Sequence, residues 1–166
     1  WFYMAEVNKK KKDLSFQQLL KNSRRHFKKN LFSMSKIFYS DLKFLNQYKK
    51  YVNLNIPLSE LKYIYFPLHL QPELTTSAIG GKYCNQVLAI KDLSKSIPQH
   101  IKIIVKENPK QNAFKRPPCF YKEINSINNV ILAPISFPTL KLIKNSVAVS
   151  TITGTVGWEA ICSQKP

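Results

Sequence analysis

Acidic side chains are scarce in this 166-residue sequence: 9 Asp and Glu stand against 26 Lys and Arg, a formal net charge of +17 at pH 7. An excess of that size points to partners carrying negative charge, whether nucleic acid, anionic lipid or nucleotide phosphate. Cysteine is scarce too. Cys84, Cys119 and Cys162 are widely separated and odd in number, which argues against a disulfide framework and for a reducing compartment. No apolar run approaches the ~20 residues that cross a bilayer, so no membrane-spanning helix is expected. Aspartate occurs only at Asp13, Asp41 and Asp92, so there is no Asp-x-Asp pair to hold a metal-nucleotide complex. His26, His69 and His100 are too scattered for a zinc site, and no metal site is expected. The phosphate loop Gly-x-x-x-x-Gly-Lys-Ser/Thr and the Gly-x-Ser-x-Gly elbow are both absent. The chain opens at Trp1 with no basic-then-apolar leader, and it reads as a piece of something longer without a secretory signal.

Proline and glycine are unevenly placed. All 10 prolines lie at or beyond Pro57, and the 4 glycines are Gly80, Gly81, Gly154 and Gly157. Residues 1–60 therefore form a basic segment free of breakers before Pro57, in which Phe16, Leu20, Phe27, Leu31, Phe38, Leu45 and Tyr48 recur mostly at three- or four-residue steps. That spacing predicts a long helix or a helical pair over residues 15–48. Residues 61–166 change character. Tyr63 to Phe66, Ile101 to Val105, Val130 to Leu132 and Val147 to Ile152 read as strands, separated by helices over Lys82 to Ser96, from Pro117-Pro118, from Pro138 and after Gly154-Thr155. Near-continuous apolar strands spaced by helix-length segments predict an α/β fold with a Rossmann-like parallel sheet covered on both faces, preceded by the helical segment.

Ligands of such sheets bind beyond the carboxyl ends of the strands, and the polar and glycine residues gather there. The first strand runs into Pro67-Leu68-His69-Leu70-Gln71-Pro72-Glu73-Leu74-Thr75-Thr76 and then Gly80-Gly81, a pair that serves either as a plain turn or as a backbone approach to phosphate. His69 suits a catalytic or ligand role as well as a purely structural one. The second strand is followed by Lys106-Glu107-Asn108-Pro109. The fourth ends in Thr151-Ile152-Thr153-Gly154-Thr155-Val156-Gly157-Trp158-Glu159, where hydroxyls and amides converge on a helix start and a carboxylate follows within a turn. Hydroxyls and amides suit a phosphate, a carboxylate suits ribose, and Thr residues also cap helices without any ligand.

In order and spacing, Tyr65 to Thr76, Gly80-Gly81-Lys82-Tyr83, Val105 to Pro109 and Thr153 to Ala160 resemble the nucleotide-binding domain of bacterial capsule polysaccharide biosynthesis proteins. That family is related to the Kdo transferases of capsule and lipopolysaccharide assembly. The resemblance covers residues 63–166, and no comparable match is evident before position 60. It implies half of a B-type glycosyltransferase fold, with residues 61–166 as the sugar-nucleotide-binding domain, ending short of its last elements. Where the family usually reads Lys-Glu-His-Pro, this chain has Asn108, which hydrogen-bonds a phosphate but carries no charge.

The resemblance implies a metal-independent glycosyltransferase of capsule or other surface polysaccharide synthesis, without a resident cofactor. Its co-substrate is a nucleotide sugar, CMP-linked donors being one candidate, and its acceptor a polysaccharide or glycolipid. Gln71, Gly80, Gly81, Lys106, Asn108, Thr153, Gly154, Thr155 and Glu159 are the expected donor-binding residues, with Glu73 and His69 as catalytic candidates. The expected location is cytoplasmic, peripheral at the inner face of the cell membrane, where an anionic lipid surface is a further partner. Nucleic acid is not expected, because the aromatic residues fall at core-like spacing. Two other readings remain open: a sugar-nucleotide epimerase, and a non-catalytic basic module that binds anionic membrane or nucleic acid.

Overall fold

Four short runs rich in β-branched and aromatic residues pair into one sheet in the computed structural model of the chain, which describes residue 46 and residues 48–111, 116, 117 and 119–166. The strands are β1 (Tyr63–Pro67), β2 (Lys102–Lys106), β3 (Val130–Ala133) and β4 (Ala148–Val149). Every pairing is parallel, and the order across the sheet is β3-β2-β1-β4. The chain therefore steps outward from β1 through β2 to β3, then crosses back to lay β4 on the other side of β1. That reversal is a topological switch point, and it opens a crevice at the carboxyl ends of β1 and β4.

The helices α1 (Gln86–Ser96), α2 (Phe120–Asn125) and α3 (Thr139–Asn145) lie between the strands, and α4 (Thr155–Cys162) follows the last of them. Side chains alternate across a strand. Phe66, Ile103, Val105 and Leu132 thus face α1 and α2, where they pack with Val87, Ile90, Phe120 and Ile124. Tyr63, Tyr65, Ile104 and Ala133 face the other way, onto Leu142 and Ile143 of α3 and Ala160 of α4. With both faces covered, the strands have no solvent side, which is why their sequences run apolar rather than alternating. Tyr48 joins the first cluster and Leu58 the second, so the chain just before β1 also packs on the sheet. These residues all belong to the unit Lys43–Pro166. Apart from Asn46 and Tyr48, the helix expected over residues 15–48 lies outside the described residues.

Two expected elements differ in detail. The strand expected over Val147 to Ile152 is only Ala148–Val149, because beyond Ser150 the chain turns in to meet the His69 ring. The helix expected over Lys82 to Ser96 is divided. A 3-10 turn spans Gly81–Cys84, and Asn85 then caps α1 by accepting from the amides of Val87 and Leu88 at 3.1 and 3.4 Å. Asn85 is extended, with φ −81° and ψ 95°, so it interrupts the helix while starting a new one.

Candidate functional site

The loops that leave β1, β2 and β4 surround a cleft of about 490 Å³ at the carboxyl end of the sheet. His69, Glu73, Lys106 and Asn108 line it from the β1 and β2 sides, and Thr153, Gly154 and Thr155 from the β4 side. Seven of the eleven residues expected to bind or react from sequence are therefore brought to one cavity. The other four sit elsewhere. Gln71 is committed to structure: its amide nitrogen donates to the Cys84 carbonyl at 2.7 Å and its side-chain oxygen accepts from Arg116 at 2.7 Å. Gly80 lines a separate cavity of about 540 Å³ beside α1. A Cβ there would lie 2.4 Å from the Thr76 carbonyl oxygen, and Gly81 has φ +56°, so local packing and backbone shape account for both glycines. Glu159 is half-buried on α4 outside the cleft lining, where its charge adds to burial in raising the Tyr65 phenol.

Lys106 is the last residue of β2. The strand carries its side chain into the cleft wall, where the residue is 7% exposed and Nζ donates to Thr139 Oγ1 at 2.7 Å. Burial lowers its pKa. The ion pairs among the described residues are Lys82–Asp92, Lys91–Glu123 and Arg116–Glu107, so no carboxylate among them neutralises Lys106. A buried cation without a counter-charge is costly, and an anion in the cleft relieves that cost. Opposite it, α4 begins at Gly154, which has φ +95° and no side chain to cap the first turn. The amides at that helix end carry partial positive charge toward the cleft. Thr153 and Thr155 add hydroxyls beside them.

His69 joins the two sides. Its backbone N–H donates to Gln86 Oε1 at 2.8 Å and its carbonyl accepts from Gln86 Nε2 at 3.0 Å, so one buried glutamine of α1 holds both backbone groups. The imidazole reaches across to the loop after β4, where Nε2 accepts from the Ile152 amide at 3.1 Å and lies 3.2 Å from Thr151 Oγ1. Burial first, and the Arg116 charge second, lower its pKa from 6.5 to about 4.

Beneath the cleft lies a network that local sequence patterns do not reveal. Glu107 accepts from Arg116 Nε at 3.0 Å and Nη2 at 2.8 Å, and from the Tyr121 hydroxyl at 2.6 Å. Arg116 Nη2 also donates to the His69 carbonyl at 2.8 Å. Gln111 completes the tie by exchanging two bonds with the backbone of Gln71, at 2.9 and 3.0 Å. Arg116 stands immediately before Pro117-Pro118 with no motif around it. The one available signal was Glu107, a charge directly following the apolar strand β2. Among the described residues there is no group of three His, Cys, Asp or Glu able to hold a metal, and no helix long and apolar enough to cross a membrane.

The fold thus places a polar cleft at the switch point of a parallel sheet. Residues 5–166 match the family described as capsule polysaccharide biosynthesis protein. The chain belongs to that family. The match extends well upstream of position 63, where the resemblance read from sequence began, and takes in most of the basic segment. No curated protein matches the chain.

Proposed function

We propose that this capsule-synthesis protein is a glycosyltransferase that takes its sugar from a nucleotide-sugar donor and passes it to a polysaccharide or glycolipid acceptor at the inner face of the cell membrane. The observation that carries this reading is Lys106, a buried cation with no carboxylate partner among the described residues, set in the wall of a cleft of about 490 Å³ opposite the start of α4. Such a cleft favours a phosphate-bearing ligand. In the proposed reaction, the bond between the sugar's anomeric carbon and the donor phosphate oxygen breaks and the phosphate keeps the electron pair. Lys106, the Thr153 and Thr155 hydroxyls and the α4 amides stabilise that charge as it develops, which needs no metal. The acceptor hydroxyl forms the new bond and loses its proton. Glu73 is our candidate to take it, because it is exposed in the cleft lining while Glu107 is neutralised by Arg116.

Calorimetric titration of the full chain with CMP, UDP and GDP, and with sugars linked to each, tests the reading and ranks the donors. Lys106→Met is expected to weaken the best ligand at least ~10-fold, and Thr155→Val by about 1 to 3 kcal/mol for a lost desolvated hydrogen bond, with folding retained. Unchanged affinity in both variants would remove the cleft as the donor site.

A further inference from the structure

The Ile152 amide settles the protonation of His69. Its hydrogen is held in place by the backbone and aims at Nε2 from 3.1 Å, with the Thr153 amide nitrogen at 3.5 Å on the same atom. Two N–H groups directed at one ring nitrogen require that nitrogen to be an acceptor. The Thr151 hydroxyl, the third neighbour, rotates freely and donates to the Thr153 carbonyl at 2.6 Å, so it does not compete for that role. With Nε2 an acceptor, the neutral ring carries its proton on Nδ1. This atom faces Gly154: a Cβ added there would lie 3.6 Å from Nδ1 and 3.7 Å from Cε1. Glycine at φ +95° thus leaves an opening over the ring on the cleft side, which any other residue would fill. No protein group among the described residues accepts from Nδ1.

We infer that His69 is a neutral hydrogen-bond donor to the bound ligand, its Nδ1–H reaching an acceptor oxygen of the ligand's phosphate through the opening at Gly154, with its tautomer locked by the Ile152 amide. The inference rests on the proposed nucleotide site and gives His69 a binding role within it in place of the catalytic role expected from the sequence. A general base at this position would need a free ring lone pair on the cleft side, and the cleft side bears the hydrogen. The arrangement is selective. A donor accepts no hydrogen bond, so phosphate, carboxylate and carbonyl oxygens fit the opening, whereas an ammonium group does not. Because the ring is uncharged, it supplies this bond without adding a second cation beside Lys106.

Nitrogen-15 NMR of the full 166-residue chain, labelled at histidine, tests this directly. Signals of His69 are identified in a His26→Gln, His100→Gln background, so the measurement does not depend on a substitution at His69. The expected result is the Nδ1–H tautomer in the free protein, with the Nδ1 resonance shifting on saturation with whichever of CMP, UDP, GDP or inorganic pyrophosphate binds. His69→Gln, which offers an acceptor oxygen to Ile152 but no donor at the Nδ1 position, is expected to weaken that ligand about tenfold. An Nε2–H tautomer overturns the inference. So does an unmoved Nδ1 resonance while a nucleotide binds in a Lys106-dependent manner, a result that leaves the nucleotide reading standing. Failure of all four probes to bind removes the nucleotide reading and the inference with it.

Discussion

Glu107 shows how one residue depends on its neighbours for the right to be charged. Its side chain is 0% exposed and that of Arg116 is 2%, so each ion is stripped of water and tolerable only because the other is there. The guanidinium grips both carboxylate oxygens, reaches Gln71 and the His69 carbonyl, and lies 4.5 Å over the Phe120 ring. Arg116→Met is therefore expected to cost ~3–5 kcal/mol in urea denaturation, because it leaves a buried carboxylate unpaired. Tyr121→Phe, which removes one neutral donor from the same carboxylate, is expected to cost about 1–3 kcal/mol. His69 makes a second prediction at this scale. Its pKa falls from 6.5 to about 4 on folding, so the unfolded chain binds the proton more readily. The stability it contributes is complete above pH 6.5 and is lost as pH falls toward 4. His69→Gln should lose less stability than the parent between those two pH values, measured by urea unfolding at each; equal losses would assign the acid sensitivity to other groups.

At the scale of elements, the segment between β1 and α1 carries the largest departure from its sequence pattern. Gly80-Gly81 followed by apolar residues at helical spacing predicts one helix, yet a 3-10 turn and a fresh cap at Asn85 intervene. The reason is long-range. Gln86, wholly buried, must present its amide to both backbone groups of His69, which fixes where α1 can begin. Asn85→Ala is expected to cost about 1 kcal/mol, the ordinary value of a helix cap. Gly80→Ala should cost more, about 1–3 kcal/mol, since its Cβ would collide with a backbone oxygen that cannot swing away. Thermal unfolding of the two variants checks the order.

Across the whole described unit, stability rests on the sheet being sandwiched. Ile104, central in β2, is 0% exposed and packs against the helices of one face, while its neighbours Ile103 and Val105, equally buried, serve the other. Ile104→Ala is expected to cost ~2–5 kcal/mol, with far-UV circular dichroism and tyrosine fluorescence reporting the same shifted midpoint. Leu140→Ala, at a position 56% exposed on α3, should change stability by less than about 0.5 kcal/mol. Separate midpoints for the two probes would mean that the two faces of the sheet do not unfold together.

Four strands, their parallel pairing, the helices between them and the loops that carry the cleft were all legible in the residues alone, because each follows from patterns a few residues long. Short apolar runs without alternation, rich in β-branched residues, read as strands covered on both faces, and helix-length spacers between them argue against hairpins. Lys106, Thr153 and Thr155 could be chosen because a parallel sheet gathers its ligand loops at one end. Which candidates reach the cavity was decided by contacts between residues far apart in the chain. Gln71 was drawn away by Arg116, 45 residues on, and His69 was turned by the Ile152 amide, 83 residues on. Such pairings leave no local trace, since a buried arginine and a surface one read alike in sequence. Only packing around the sheet brought them within hydrogen-bonding distance, and at that distance the cost of leaving a buried donor or carboxylate unpaired determines which partner each must take.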